Sequence, residues 1–115
     1  MKRAFTTSSL VLVVLLSLVL VVTACGSSGG DLSDASTQRR FGVRMAKMNL
    51  WREAMFRFRR ATQIEPDNAQ AHNNLAVVFF ETDRIAEAEA SVKEAKKAGY
   101  KVNPQLEQAI KERKK

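Results

Sequence analysis

The sequence predicts an all-α protein, a short helical solenoid of two hairpins closed by a C-terminal capping helix. Three observations predict it. Large and small apolar residues recur with a period of about 34 residues through the middle of the chain. Within each copy they fall at helical spacing. The first two dozen residues instead join a basic start to an apolar run, which separates them from the folded part. Composition agrees: 115 residues, 45 % hydrophobic and 27 % charged, suit one small domain with an appendage. One Cys and one His exclude an internal disulfide and a Cys/His zinc cluster.

Residues 1–24 read as an export signal. Lys2 and Arg3 form the positive start, Leu10 to Val22 the apolar core, and Thr23-Ala24 the small residues before a cut. The apolar core is shorter than the roughly 20 apolar residues a permanent span needs. Val22-Thr23-Ala24-Cys25 resembles the lipobox of bacterial lipoproteins. That resemblance implies a diacylglycerol on Cys25, cleavage before it, and attachment of the mature chain to a membrane by several acyl chains. Gly26, in place of the retention-favouring Asp of Gram-negative lipoproteins, points to the outer membrane facing the periplasm. In any other bacterium the outer face of the plasma membrane is expected. Residues 25–34 then form the lipidated Cys and a Gly/Ser/Asp tether reaching on the order of 15–18 Å.

The folded part is divided into copies 35–68 and 69–102, followed by a capping helix at 103–115. Phe41, Gly42, Met45, Trp51, Ala54, Phe58 and Ala61 recur one period later as Leu75, Ala76, Phe79, Ile85, Ala88, Val92 and Ala95. Trp51, Ala54, Met55, Phe58, Ala61 and Thr62 share about 120° of one helix face, as a buried stripe requires. Helices are expected near 36–48, 50–64, 69–82, 84–98 and 104–114. Asn49 and Asp83 are expected to cap the second and fourth helices. Asp67 with Gln70 suggests a capping box for the third. Gly99 suits the position past the fourth, and Asn103-Pro104 the start of the fifth.

This spacing resembles the tetratricopeptide repeat, through Phe41-Gly42, Ala54, Phe58, Ala61 and Pro66 in the first copy. The second copy matches through Leu75-Ala76, Phe79, Ala88 and Ala95, and departs at Val92 and Tyr100. The resemblance implies that the first helix of each pair lines a concave groove for a peptide or partner helix. The corresponding residues are Arg39, Val43, Ala46 and Lys47, then Asn73, Asn74, Val77, Phe80 and Glu81, of which Val77 and Phe80 equally suit packing against the capping helix. Arg39 and Asn74 match part of the family's carboxylate-gripping pattern, but Val43 stands where that pattern needs an amide. A general protein-binding groove is therefore expected.

Neither a catalytic constellation nor a metal or cofactor site is legible, so an enzyme is not expected. His72 reads as a packing residue near an apolar face. Copy 35–68 carries eight Lys/Arg against three Asp/Glu, whereas copy 69–102 has five of each. Such a field attracts anionic partners. For an exported chain these are an acidic protein surface or lipid headgroups, and nucleic acid is not expected. Phe56 lies on the helix 50–64 away from the buried stripe, amid Arg52, Arg59 and Arg60; it reads either as a solitary surface aromatic or one covered by the returning tether, or as a residue that leans on a membrane surface. Overall the sequence predicts a lipid-anchored adaptor for another envelope protein. The alternative is a structural lipoprotein that self-associates through the ends of its short stack.

Overall fold

The computed structural model describes residues 32–115; the expected export signal 1–24, Cys25 and residues 26–31 of the expected tether lie outside that range. Five helices follow one another with no strand among the described residues: α1 Ala35–Lys47, α2 Trp51–Ile64, α3 Ala69–Glu81, α4 Ile85–Lys97 and α5 Pro104–Lys114. Each expected helix is present with its bounds displaced by a residue or so. Two antiparallel hairpins, α1–α2 and α3–α4, stack through α2 against α3, and α5 closes the stack on α4.

The turns are built by one device used three times. Asn49, Asp83 and Gly99 have positive φ, at 58°, 59° and 91°. Behind each, two amide hydrogens return to the last turn of the preceding helix. Asn49 N donates to Ala46 O and Leu50 N to Met45 O, at 3.0 and 2.9 Å. Asp83 N to Phe80 O with Arg84 N to Phe79 O, and Gly99 N to Lys96 O with Tyr100 N to Ala95 O, repeat the pattern. This is the Schellman arrangement, which satisfies carbonyls left open at a helix C-terminus.

Asn49 and Asp83 are thus helix terminators, a correction to the expected N-caps. Both types tolerate left-handed backbone, because their short polar side chains bond locally. The caps of α2 and α4 fall instead on Leu50 and Arg84, neither of which makes a side-chain capping bond. A second correction concerns α3, whose cap is Asn68 rather than Asp67: its side chain accepts from Ala71 N at 3.0 Å. Asp34 does the same for α1, accepting from Thr37 N at 3.0 Å. Asp34 and Asn68 stand one period apart, so the repeat extends into the caps. Asn103, with Pro104 at the first helical position, caps α5 as expected.

Packing follows the size pattern. Ala54, Phe58, Leu75, Ala76, Phe79, Ala88, Val92 and Ala95 are buried in one cluster, which Val78, Val102 and Ile110 extend towards α5. A smaller cluster of Ala35, Ala61 and Ala71 lets α1, α2 and α3 approach closely near the caps. Gly42 is required by such an approach. A Cβ there would lie 2.5 to 2.9 Å from the Phe58 ring, which is itself only 1 % exposed.

Candidate functional site

The α1 half of the expected groove is a basic surface. Arg39, Val43 and Lys47, joined by Arg40 and Arg44, line a shallow hollow of about 320 Å³. Successive turns of α1 bring these side chains to one side, while Gly42 and Gln38 face the core. Val43 and Ala46 are half-buried and support the core cluster. Among the described residues, no ion pair engages Arg39, Arg40, Arg44 or Lys47.

The α3 half is nearly neutral. Asn73 and Asn74 are half-buried, Val77 is 36 % exposed and Glu81 is exposed. Phe80 packs on the core, with the Arg113 guanidinium 4.8 Å above its ring. Arg113 is held there by Asp83, at 3.1 Å. Phe80 is thus covered by α5 on one side, leaving Val77 as the open apolar contact of α3. No hydrogen bond or ion pair joins the α1 set to the α3 set among the described residues.

The structure distributes the expected surface patch over two places. Arg52 and Phe56 line a hollow of about 440 Å³ with Phe41, Met45, Glu53 and Arg57, at the open end of the first hairpin. Phe56 is 65 % exposed, and Arg57 bridges its ring and that of Phe41 at 5.7 and 5.6 Å. Arg60 donates to Gln63 on the same helix. Arg59 instead reaches across to the second hairpin, 5.5 Å above the Phe79 ring and 4.0 Å from Glu87. Arg84 covers Phe79 as well, pairs with Glu87, and donates to Met55 Sδ at 3.2 Å. Phe79 therefore sits under two guanidiniums where the hairpins meet.

Two polar residues have a structural role that sequence reasoning missed. Gln38, only 3 % exposed, donates from Nε2 to the Leu32 carbonyl and accepts from Arg57 Nη1 at 3.1 Å. His72 donates from Nε2 to the Pro66 carbonyl at 2.7 Å. Because a carbonyl can only accept, that nitrogen carries the proton. Each residue reaches back by the same number of positions, and the two stand one period apart. The repeat register was the signal that could have found them. These bonds latch the entering chain onto each hairpin.

Among the described residues two carboxyls are shifted, both downwards. The Ser36 hydroxyl and then the Thr37 amide hold Asp34 below the usual range. Lys114, by hydrogen bond and charge, and then Lys93 do the same for Glu89. Each shift belongs to a helix end or a helix joint. Among the described residues no group of His, Cys, Asp and Glu is arranged to hold a metal ion. No helix there is long and apolar enough to cross a membrane.

A model of the tetratricopeptide repeat matches residues 46–112, from the last turn of α1 into α5. No curated protein matches the chain.

Proposed function

This chain belongs to the tetratricopeptide repeat family, whose repeats are typically non-catalytic protein-binding modules, and from that premise we propose a lipid-anchored adaptor of the bacterial envelope. Cys25 carries the lipid, residues 26–34 set the domain close to the bilayer, and the face of α1 and α3 holds an acidic segment of another envelope protein. The protein requires no cofactor beyond that covalent lipid. The observation that carries the reading is the basic cluster of α1, where Arg39, Arg40, Arg44 and Lys47 surround Val43 and none of the four is in an ion pair among the described residues. Pairing these cations with carboxylates offers charge complementarity, which steers encounter and selects partners. Val43 and Val77 supply apolar contacts beside it.

Double reversal, Arg40→Glu with Arg44→Glu, is expected to abolish co-purification of the partner from membranes while far-UV helicity stays unchanged. Retained capture by the folded variant overturns the reading. The anchor is tested separately. Cys25→Ser is expected to lose fatty-acid labelling and to move the protein from the membrane to the soluble fraction.

The hollow around Phe41, Met45 and Phe56 favours a second contact, with the bilayer itself. Phe56 dips between headgroups while Arg52 and its neighbours meet phosphates, each basic residue contributing on the order of 1 kcal/mol at an anionic surface. Phe56→Ala is expected to weaken co-sedimentation of unlipidated protein with anionic vesicles. The same open end supports the alternative, a structural lipoprotein that self-associates. Sedimentation at several concentrations separates the two, since a strict monomer excludes the alternative.

A further inference from the structure

Two hairpin turns of one backbone geometry carry opposite chemistry. The α1–α2 turn holds Met48, Asn49 and Leu50, and the α3–α4 turn holds Thr82, Asp83 and Arg84 one period later. Both close with a positive-φ residue and the same pair of amide bonds. In the second turn the fold uses all three side chains. Thr82 Oγ1 donates to Val78 O at 2.8 Å, Asp83 accepts from Arg113 at 3.1 Å, and Arg84 pairs with Glu87. In the first turn Met48 is 59 % and Leu50 39 % exposed, and neither belongs to a buried cluster. The backbone does not require them, since Thr82 and Arg84 build the same turn.

Charge differs in the same sense. Residues 44–57, which contain the first turn, carry Arg44, Lys47, Arg52 and Arg57 against the single acid Glu53. The equivalent residues 78–91 carry Glu81, Asp83, Glu87 and Glu89 against the single cation Arg84. Among the described residues no ion pair engages Lys47 or Arg52, the cations nearest the first turn. An anionic surface therefore attracts the first turn and repels the second.

A protruding turn offers no groove to a protein. Two side chains supply only a small part of the roughly 1,200–2,000 Å² that a stable protein–protein contact buries. The headgroup layer of a bilayer makes no such demand: it takes up apolar side chains and holds cations at its phosphates. We infer that Met48 and Leu50 enter the headgroup layer of an anionic bilayer, with Lys47 and Arg52 against its phosphates. Insertion presupposes the lipid-anchored reading above and extends its bilayer contact from Phe56 to the turn, through Arg52, which lines the Phe56 hollow. Chain length permits it. The 13 residues of α1 separate Leu32 from the turn by about 20 Å. Residues 26–31 span about 20 Å when extended, so a lipid on Cys25 and the turn can meet one bilayer.

The test reads Trp51, the sole Trp of the chain, half-buried beside Leu50. The full chain as isolated from membranes is reconstituted into vesicles of phosphatidylcholine, with or without phosphatidylglycerol, and recovered by flotation. Lipids brominated in the acyl chain quench an indole only at short range. Quenching of Trp51 is expected in the anionic vesicles and at least threefold less in the neutral ones. Met48→Thr with Leu50→Ser is expected to reduce it at least threefold with helicity kept, because Thr already fits the second turn and Ser suits the cap position of Leu50. Lys47→Gln with Arg52→Gln is expected to reduce it at least twofold, and Phe56→Ala less than twofold. Flotation without quenching overturns the inference and leaves the anchor standing, whereas loss of flotation overturns both. Quenching that ignores the turn variant, or that Phe56→Ala alone removes, also overturns the inference. So does a photo-cross-linker at Met48 that captures a protein in cells while brominated lipid leaves Trp51 unquenched.

Discussion

The first hairpin sets Gly42 against Phe58, where the second has Ala76 and Val92 at the equivalent positions. A large ring is matched to a missing side chain in one, and a medium side chain to a methyl in the other. Other devices recur at the same offset: the Asp34 and Asn68 caps, the Gln38 and His72 latches, and the Asn49 and Asp83 terminators. The surfaces do not follow. Arg39, Arg40 and Lys47 are replaced in the second copy by Asn73, Asn74 and Glu81. What packs is held in register while the exposed residues have diverged, so the excess of positive charge lies on the first repeat.

The largest losses are expected in the core. Phe58→Ala is expected to cost about 3–5 kcal/mol, because the cavity left by the ring cannot be filled by Gly42. Val92→Ala removes two methyl groups and is expected to cost about 2 kcal/mol. Urea midpoints of the two variants check the order, and equal losses would contradict the size-exchange account. Next in size is Gly42→Ala, which places a methyl within contact of a buried ring. Overpacking of that kind costs about 1–3 kcal/mol, partly offset by about 1 kcal/mol of helix propensity. Phe58→Val in the same chain is expected to make Gly42→Ala neutral or stabilising, as the second hairpin already demonstrates with Ala76 and Val92. A strictly additive double variant would contradict it.

Smaller effects are expected at the caps. Asn68→Ala is expected to cost about 1 kcal/mol and to raise amide exchange at Ala71. The first cap differs in being titratable. Asp34 has a folded pKa below its unfolded one, so its contribution is present above the unfolded pKa and is lost as pH falls through the folded one. The start of α1 is therefore expected to loosen below about pH 4 while the Asn68 cap of α3 does not respond. Glu89 obeys the same sign, so the hold of Lys114 on α4 weakens in the same acid range. Amide exchange at Thr37 and Ala71 across an acid titration distinguishes the two caps.

Helix positions were legible because burial is periodic: Ala54, Phe58 and Ala61 recur as Ala88, Val92 and Ala95, and all six are buried. Cap identities were less so. Asn and Asp favour both helix starts and left-handed terminators, and the hairpin turns are short enough that either role fits the same residue. Asp67 and Asn68 are adjacent candidates, and the offset from Asp34 decides between them. The groove was legible in its membership but not in its exposure. Whether Phe80 lies open depends on Arg113, a contact between α3 and α5 that no local pattern encodes. The separation of Arg59 from Phe56 likewise depends on where the second hairpin stacks.

We propose that the first repeat's surface, and not the shared fold, recognises the partner. It is tested most directly by giving α1 the residues of α3: Arg39→Asn, Arg40→Asn and Lys47→Glu in one chain. A photo-cross-linking residue at Val43 reports the partner in intact cells, and helicity and urea midpoint report the fold. The fold is expected to persist with a loss of about 1–2 kcal/mol, from the helix propensity of two Asn and an acid in the last turn of α1, and the adduct to weaken at least tenfold. An adduct of undiminished yield from the folded triple variant would contradict it.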